Sequence, residues 1–137
     1  MYKIEKIGKC LGYDYLVKFL DGGWRCGYVR LHTPEELAHE DYTINENGLD
    51  VHNGITFDKV IEDDREGFPN GRWIGFTCIG SGDKSCVEDA EKAFGFPHTE
   101  GLHLIPNTGH YWTQDEVEAE CKYLCNQLNN KNEEKAE

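Results

Sequence analysis

Six histidines and six cysteines are the residues in this 137-residue chain best suited to chemistry, and their spacing limits what they can do. A structural zinc site needs about four converging nitrogen, sulfur or carboxylate ligands and usually shows a close pair such as C-x2-C. No such pair occurs. Cys121 and Cys125 are one helical turn apart and share a face, but Val117, Leu124 and Leu128 fall on the same face, so core packing is the better reading. His98, His103 and His110 lie close together in a loop-rich stretch where a metal could be shared with a thiol, yet ordinary loop histidines explain them more simply. For thiol catalysis, a histidine base must meet a cysteine, and His52 with Cys26 or Cys78 is the pairing to look for. Spacing does not establish that geometry, so no catalytic residue, metal ligand or cofactor is assigned.

Binding is the chemistry the residues suggest more strongly. Gly80-Ser81-Gly82-Asp83-Lys84-Ser85 runs from a strand towards a helix start, where backbone N–H groups can cradle a phosphate, although it lacks the G-x4-G-K-[ST] spacing. Arg25, Arg30 and Arg72 stand on or beside strands carrying Trp24, Tyr28 and Trp73, a combination able to stack a base and hold its phosphate. The simpler alternative has the aromatics facing the core and the arginines solvated on the other face. The candidate ligand-binding residues are therefore Trp24, Arg25, Tyr28, Arg72 and Trp73 from the strands and His52 and Asn53 from a glycine-marked segment. Gly80, Ser81, Gly82 and Asp83 of the loop complete the set.

The elements that must position them are readable from periodicity and turn chemistry. Tyr2–Ile7 and Tyr13–Leu20 are strand-like, and Asp21-Gly22-Gly23 turns the chain into a third strand over Trp24–Leu31, giving an opening meander. Ile55–Ile61 and Arg72–Ile79 read as two further strands, with a brief extra strand expected at Leu49–His52. Thr33-Pro34-Glu35-Glu36, Ser85-Cys86-Val87-Glu88 and Thr113-Gln114-Asp115-Glu116 each follow the capping-box grammar of a helix start. The last opens an amphipathic helix with Val117, Cys121, Leu124, Cys125 and Leu128 on one face. The expectation is an α+β fold: one domain over residues 1–129, with an antiparallel sheet of about five strands packed by the C-terminal helix and a shorter helix near 85–94. Residues 130–137 form an acidic tail expected to be disordered.

Charge narrows the partners. The formal net charge is −12, from 26 acidic against 14 basic residues, which disfavours direct binding to duplex nucleic acid and favours a partner protein with a basic surface. The N-terminus has no charged-then-apolar signal segment, so the cysteines read as free thiols of a cytoplasmic protein. No apolar run is long enough to span a bilayer.

Arg25-Cys26-Gly27-Tyr28-Val29, Val51-His52-Asn53-Gly54-Ile55-Thr56-Phe57, Trp73-Ile74-Gly75-Phe76-Thr77-Cys78 and Gly109-His110-Tyr111-Trp112-Thr113 occur in that order. Together they resemble a family of small, mostly uncharacterised proteins encoded by bacteriophages and prophages, over a span from about Tyr13 to Leu128. The chain departs from that family's pattern in having Trp24 and Gly80 where histidine is frequent, Asn53 where glycine is, and Thr77 where aspartate is; Asp83 is retained. The resemblance implies expression in the cytoplasm of a bacterial host and a role against a host factor. The expected function is a non-enzymatic inhibitor of a host protein, such as a bacterial defence protein, acting through an acidic surface. The alternative is sequestration of a nucleotide signal of host defence, and a metal-dependent or thiol hydrolase comes third, weakened by the departures at 24, 53, 77 and 80.

Overall fold

Residues 2–30 fold into the expected meander: β1 (Tyr2–Cys10), β2 (Tyr13–Leu20) and β3 (Arg25–Arg30). In the computed structural model, which describes residues 2–44, 48–62, 68–80, 82–95 and 109–136, the short helix α1 (Pro34–Ala38) follows. The outer strand β4 (Phe57–Ile61) and then β5 (Gly71–Thr77) complete a five-stranded antiparallel sheet in the order β1-β2-β3-β5-β4. A short parallel pair, β6 (Asp83–Lys84) and β7 (His110–Tyr111), flanks the helix α2 (Val87–Phe94), and α3 (Gln114–Ala136) closes the chain. The architecture is a single α+β domain. Among the described residues no helix is long and apolar enough to cross a membrane.

One face of the sheet is covered by α3. Tyr15, Val17, Val29, Ile74 and Phe76 meet Val117, Cys121, Leu124, Cys125 and Leu128, all buried, so the apolar face of the helix is the one its spacing indicated. Gly27 sets the closeness of that contact: a Cβ there would collide with the Phe76 ring and lie 2.7 Å from the Cys121 sulfur. Gly75 does the same on the opposite face, where a Cβ would stand 2.5 Å from Tyr28 and 2.7 Å from the Gly27 carbonyl. Both follow from the β3–β5 register, which pairs Gly27 with Phe76 and Tyr28 with Gly75, so each glycine accepts the ring opposite it. What approaches these backbones is the protein's own aromatic side chain.

The second face has an aromatic cover that the sequence did not announce. Leu16, Cys26, Tyr28, Phe68 and Trp73 form a separate buried cluster, with Tyr2, Ile4 and Phe57 at its margin. Tyr28 packs edge-on against Phe57 and Phe68, with centroids 5.0 and 5.3 Å away, and Trp73 donates from Nε1 to the Pro69 carbonyl at 2.8 Å.

Two of the three helix starts carry their predicted boxes. Thr33 and Glu36 exchange the reciprocal bonds at α1, and Thr113 and Glu116 do so at α3. At α2 the cap is Cys86 with no side-chain bond, because the helix begins one residue later than the Ser85 reading requires. Residues 49–52 form no strand; they are an irregular segment lying along α3. The helix α3 continues to Ala136, past the point where order was expected to stop at Asn129. Asn132 gives the reason: its amide donates to the Tyr13 hydroxyl at 2.8 Å and to the Glu36 carboxylate at 3.2 Å, a polar anchor that apolar periodicity does not reveal.

Candidate functional site

The segment that carries His52 is held to α3 by its backbone. The Asp50 N–H donates to Gln127 Oε1 at 2.6 Å, and Gln127 Nε2 donates to the Asp50 carbonyl at 2.7 Å, so one amide side chain substitutes for a strand partner. The next residues form a tight turn closed by the Gly54 N–H on the Val51 carbonyl at 2.9 Å. Asn53 sits in the left-handed region at φ 61°, which asparagine tolerates better than most residues, and His52 is displayed at the corner of that turn.

Asp83 arrives from the other side. A second turn, closed by the Asp83 N–H on the Gly80 carbonyl at 3.0 Å, leads into β6, and the His110 N–H donates to the Gly82 carbonyl at 3.0 Å. The Asp83 side chain is only 2% exposed, and burying a carboxylate is costly unless its oxygens are satisfied. Both are: Oδ1 lies 2.6 Å from His52 Nε2, and Oδ2 accepts from Asn53 Nδ2 at 2.9 Å. Asn53 Nδ2 also donates to the Thr77 carbonyl at 2.9 Å, which ties the corner to the end of β5.

Trp112 backs the imidazole. The His52 and Trp112 centroids are 4.4 Å apart with their planes tilted by 31°, and His110 meets the other ring edge-on at 5.7 Å. His110 is paired with Glu116, the capping glutamate of α3. Burial pushes the Glu116 carboxyl up, but the bonds from the Thr113 N–H, His110 and the Thr113 hydroxyl outweigh it and hold the group below the usual range. Glu120, one turn further along α3, shows the opposite balance. Burial, supported by nearby Asp50, keeps its carboxyl above the usual range despite the bond from the His52 backbone N–H.

The structure therefore brings together His52, Asn53, Gly80, Gly82 and Asp83 of the expected residues; Ser81 lies outside the described residues, as do His98 and His103. The strand residues are elsewhere and occupied. Arg25 is buried on the helix side, stacked 4.2 Å from Phe19, with Nε on Glu5 at 2.6 Å and Nη1 on the Tyr111 hydroxyl at 2.7 Å. The β-bulge between Ile4 and Lys6 lies where Glu5 makes this pair. Arg72 forks onto Asp58 at 2.8 and 2.6 Å and caps α1 through the carbonyls of Glu36, Leu37, His39 and Glu40. Tyr28 and Trp73 are inside the second core cluster, so neither offers a stacking face. Trp24 lies between the attachments of Gly23 to Cys86 and of Arg25 to Cys78, with its buried Nε1 lacking a hydrogen-bond partner among the described residues.

The aromatics Tyr28 and Trp73 are inside, but the arginines are not freely solvated: Arg25 is buried, and the Arg72 and Arg30 side chains are 13% and 31% exposed, each on a carboxylate. Long side chains with internal carboxylate partners can be enclosed where unpaired ones cannot. The thiols of the expected pairing are also closed off as nucleophiles. Cys26 and Cys78 are 3% and 1% exposed, and burial pushes both thiols up, away from the reactive thiolate. Among the described residues no three histidine, cysteine, aspartate or glutamate side chains converge as a metal site.

Trp112, Glu116, Glu120 and Gln127 belong to the site and were missed as site residues. A signal existed for part of it: His110-Tyr111-Trp112 directly precedes the Thr113 cap, so the cap fixes where the row begins. Asn53, Thr77 and Gly80 also gather here. Asn53 bonds Thr77 and Asp83, and a Cβ on Gly80 would stand 3.2 Å from both Asn53 Nδ2 and Asp83 Oδ2. Comparison with protein-family models, with curated proteins and with solved structures finds no match.

Proposed function

We propose that this chain is a non-enzymatic binding protein that engages a basic surface of another protein, with the His52 corner and the first turns of α3 as its contact face. The phage resemblance extends the reading to a phage- or prophage-encoded protein acting on a host factor, such as a bacterial defence protein. The observation that carries it is how the side chains are spent. The three described arginines are each committed to a carboxylate of the chain itself, Arg25 to Glu5, Arg30 to Asp14 and Arg72 to Asp58. Guanidinium groups suited to a phosphate are thereby withdrawn, while Asp115 and Glu116 lie in the first turn of α3 and Asp50 and Glu120 lie beside His52. That environment attracts cations and repels phosphate, so it supports a basic protein partner over a nucleotide.

The test is salt dependence. The chain is immobilised and offered a bacterial lysate at about 0.1 M and again at about 1 M salt, where the screening length falls from roughly 10 to 3 Å. A host protein retained at low salt and released at high salt supports the reading, provided Asp115→Lys weakens its capture. Retention indifferent to salt and to that charge reversal, or a thermal shift with nucleotides in its place, overturns it.

A further inference from the structure

We propose that the His52 corner receives a guanidinium group, an arginine side chain of the basic partner. This rests on the binding reading above and names the chemistry of its contact point.

The first step is the tautomer. The Asp83 carboxylate is an acceptor, nearly closed to solvent, and stands 2.6 Å from His52 Nε2, so that nitrogen carries the hydrogen. In the neutral ring Nδ1 is then an acceptor, and the imidazole is 27% exposed with no partner for Nδ1 among the described residues. The second step is that the polar side chains beside the imidazole are short of spare donors, the Trp112 indole N–H apart. Asn53 has committed its Nδ2 to Asp83 and the Thr77 carbonyl. His110 Nε2 is engaged by Glu116, and in the neutral ring its second nitrogen is an acceptor as well. Glu116 and Glu120 add carboxylates, and Trp112 adds an electron-rich ring. Lys84 is the cation nearest in sequence, and it follows Asp83 on the alternate face of β6. A site in which acceptors and a π face predominate selects a donor that carries positive charge.

The third step separates arginine from lysine. An ammonium is a compact, strongly hydrated point charge. A guanidinium is planar, stacks on aromatic faces and spreads several N–H groups over acceptors in one plane. The His52–Trp112–His110 row, with centroids 4.4 and 5.7 Å apart, supplies flat surfaces bordered by acceptors, which suits the second ion.

The experiment titrates the chain, at low salt and pH 7.5, with a hexa-arginine and a hexa-lysine peptide. Imidazole nitrogen shifts of His52 and the indole signal of Trp112 are followed by NMR. Hexa-arginine is expected to move both and to bind about tenfold tighter than hexa-lysine, a preference lost in both His52→Phe, which keeps a ring on Trp112, and His52→Gln, which keeps an acceptor without the ring. Equal binding of the two peptides, unchanged affinity in both variants, or a free-state spectrum showing Nε2 unprotonated overturns the inference while leaving the acidic-face reading standing. Failure of both peptides to bind removes the two together.

Discussion

Glu36 and Asp83 are both carboxylates enclosed by the fold, at 4% and 7% exposure, and they are put to different uses. Glu36 is surrounded by donors that belong to the scaffold. The Tyr13 hydroxyl and Asn132 reach one oxygen, and the backbone N–H groups of His32 and Thr33 reach the other, each at 3.1 Å. Every bond ends inside the protein, and together they pin α1 to β2 and to the last turns of α3. Asp83 has a scaffold donor on one oxygen only, Asn53; the other oxygen orients an imidazole that is partly open to solvent. The first carboxylate is consumed in holding the fold together, while the second passes its orientation on to a group that can still bind something. A buried charge thus marks a candidate site when one of its partners keeps an unspent, accessible atom.

Removing each carboxylate should separate the two uses. Glu36→Ala leaves Tyr13 and two backbone N–H groups without an acceptor, and a loss of about 3 kcal/mol is expected in urea-induced unfolding. A loss under about 1 kcal/mol would show that the network is dispensable. The same group should control the acid limb of stability. Burial raises the Glu36 pKa, but the bonds from Tyr13, Thr33, His32 and Asn132 outweigh burial and leave it lowered in the folded chain. Its contribution is therefore fully present above the unfolded value of about 4.3 and is lost as pH falls through the lower folded value. Melting temperatures measured from pH 7 to pH 3 should fall more steeply for the wild type than for Glu36→Gln; parallel curves would contradict the assignment.

Asp83→Ala should cost less, about 1–2 kcal/mol, because His52 is partly solvated and can rehydrate. Its sharper effect is expected on His52, whose Nε2–H resonance should lose its single tautomer and begin to exchange; a tautomer unchanged in Asp83→Ala would show that something else orients the ring. The smallest effect should come from Gln127→Ala. With the clamp on Asp50 gone, stability should change by less than about 1 kcal/mol, while amide exchange at Asp50 and Gly54 accelerates several-fold. Unaltered exchange at both positions would mean that Tyr123, which donates to the Asp50 carboxylate at 3.1 Å, suffices to hold the segment.

The legibility of these features differs with their range along the chain. The meander, the Thr33 and Thr113 boxes and the apolar face of α3 depend on residues two to seven apart, and such local patterns carry their physical cause with them. Gly27 and Gly75 stand inside strand sequences, but their meaning needed the β3–β5 register, which sets a ring of one strand over the glycine of the other. The aromatic second core was hidden because it depends on Phe68, contributed from outside the strands.

Composition and periodicity alone therefore establish an α+β domain with a strongly acidic surface and a helix packed on an antiparallel sheet. Turn and loop motifs offer His52, Asn53 and Asp83 as binding candidates, but only alongside Trp24, Arg25, Tyr28, Arg72, Trp73, Gly80, Ser81 and Gly82. Only the tertiary structure decides that Tyr28 and Trp73 are interior, that Arg25 and Arg72 are tied to carboxylates of the chain, and that Asp83 reaches across 31 residues to hold His52 against Trp112. The reason is physical. Hydrophobic periodicity records which face of an element avoids water, whereas the pairing of buried charges depends on where separate turns meet, and no local pattern encodes that meeting point.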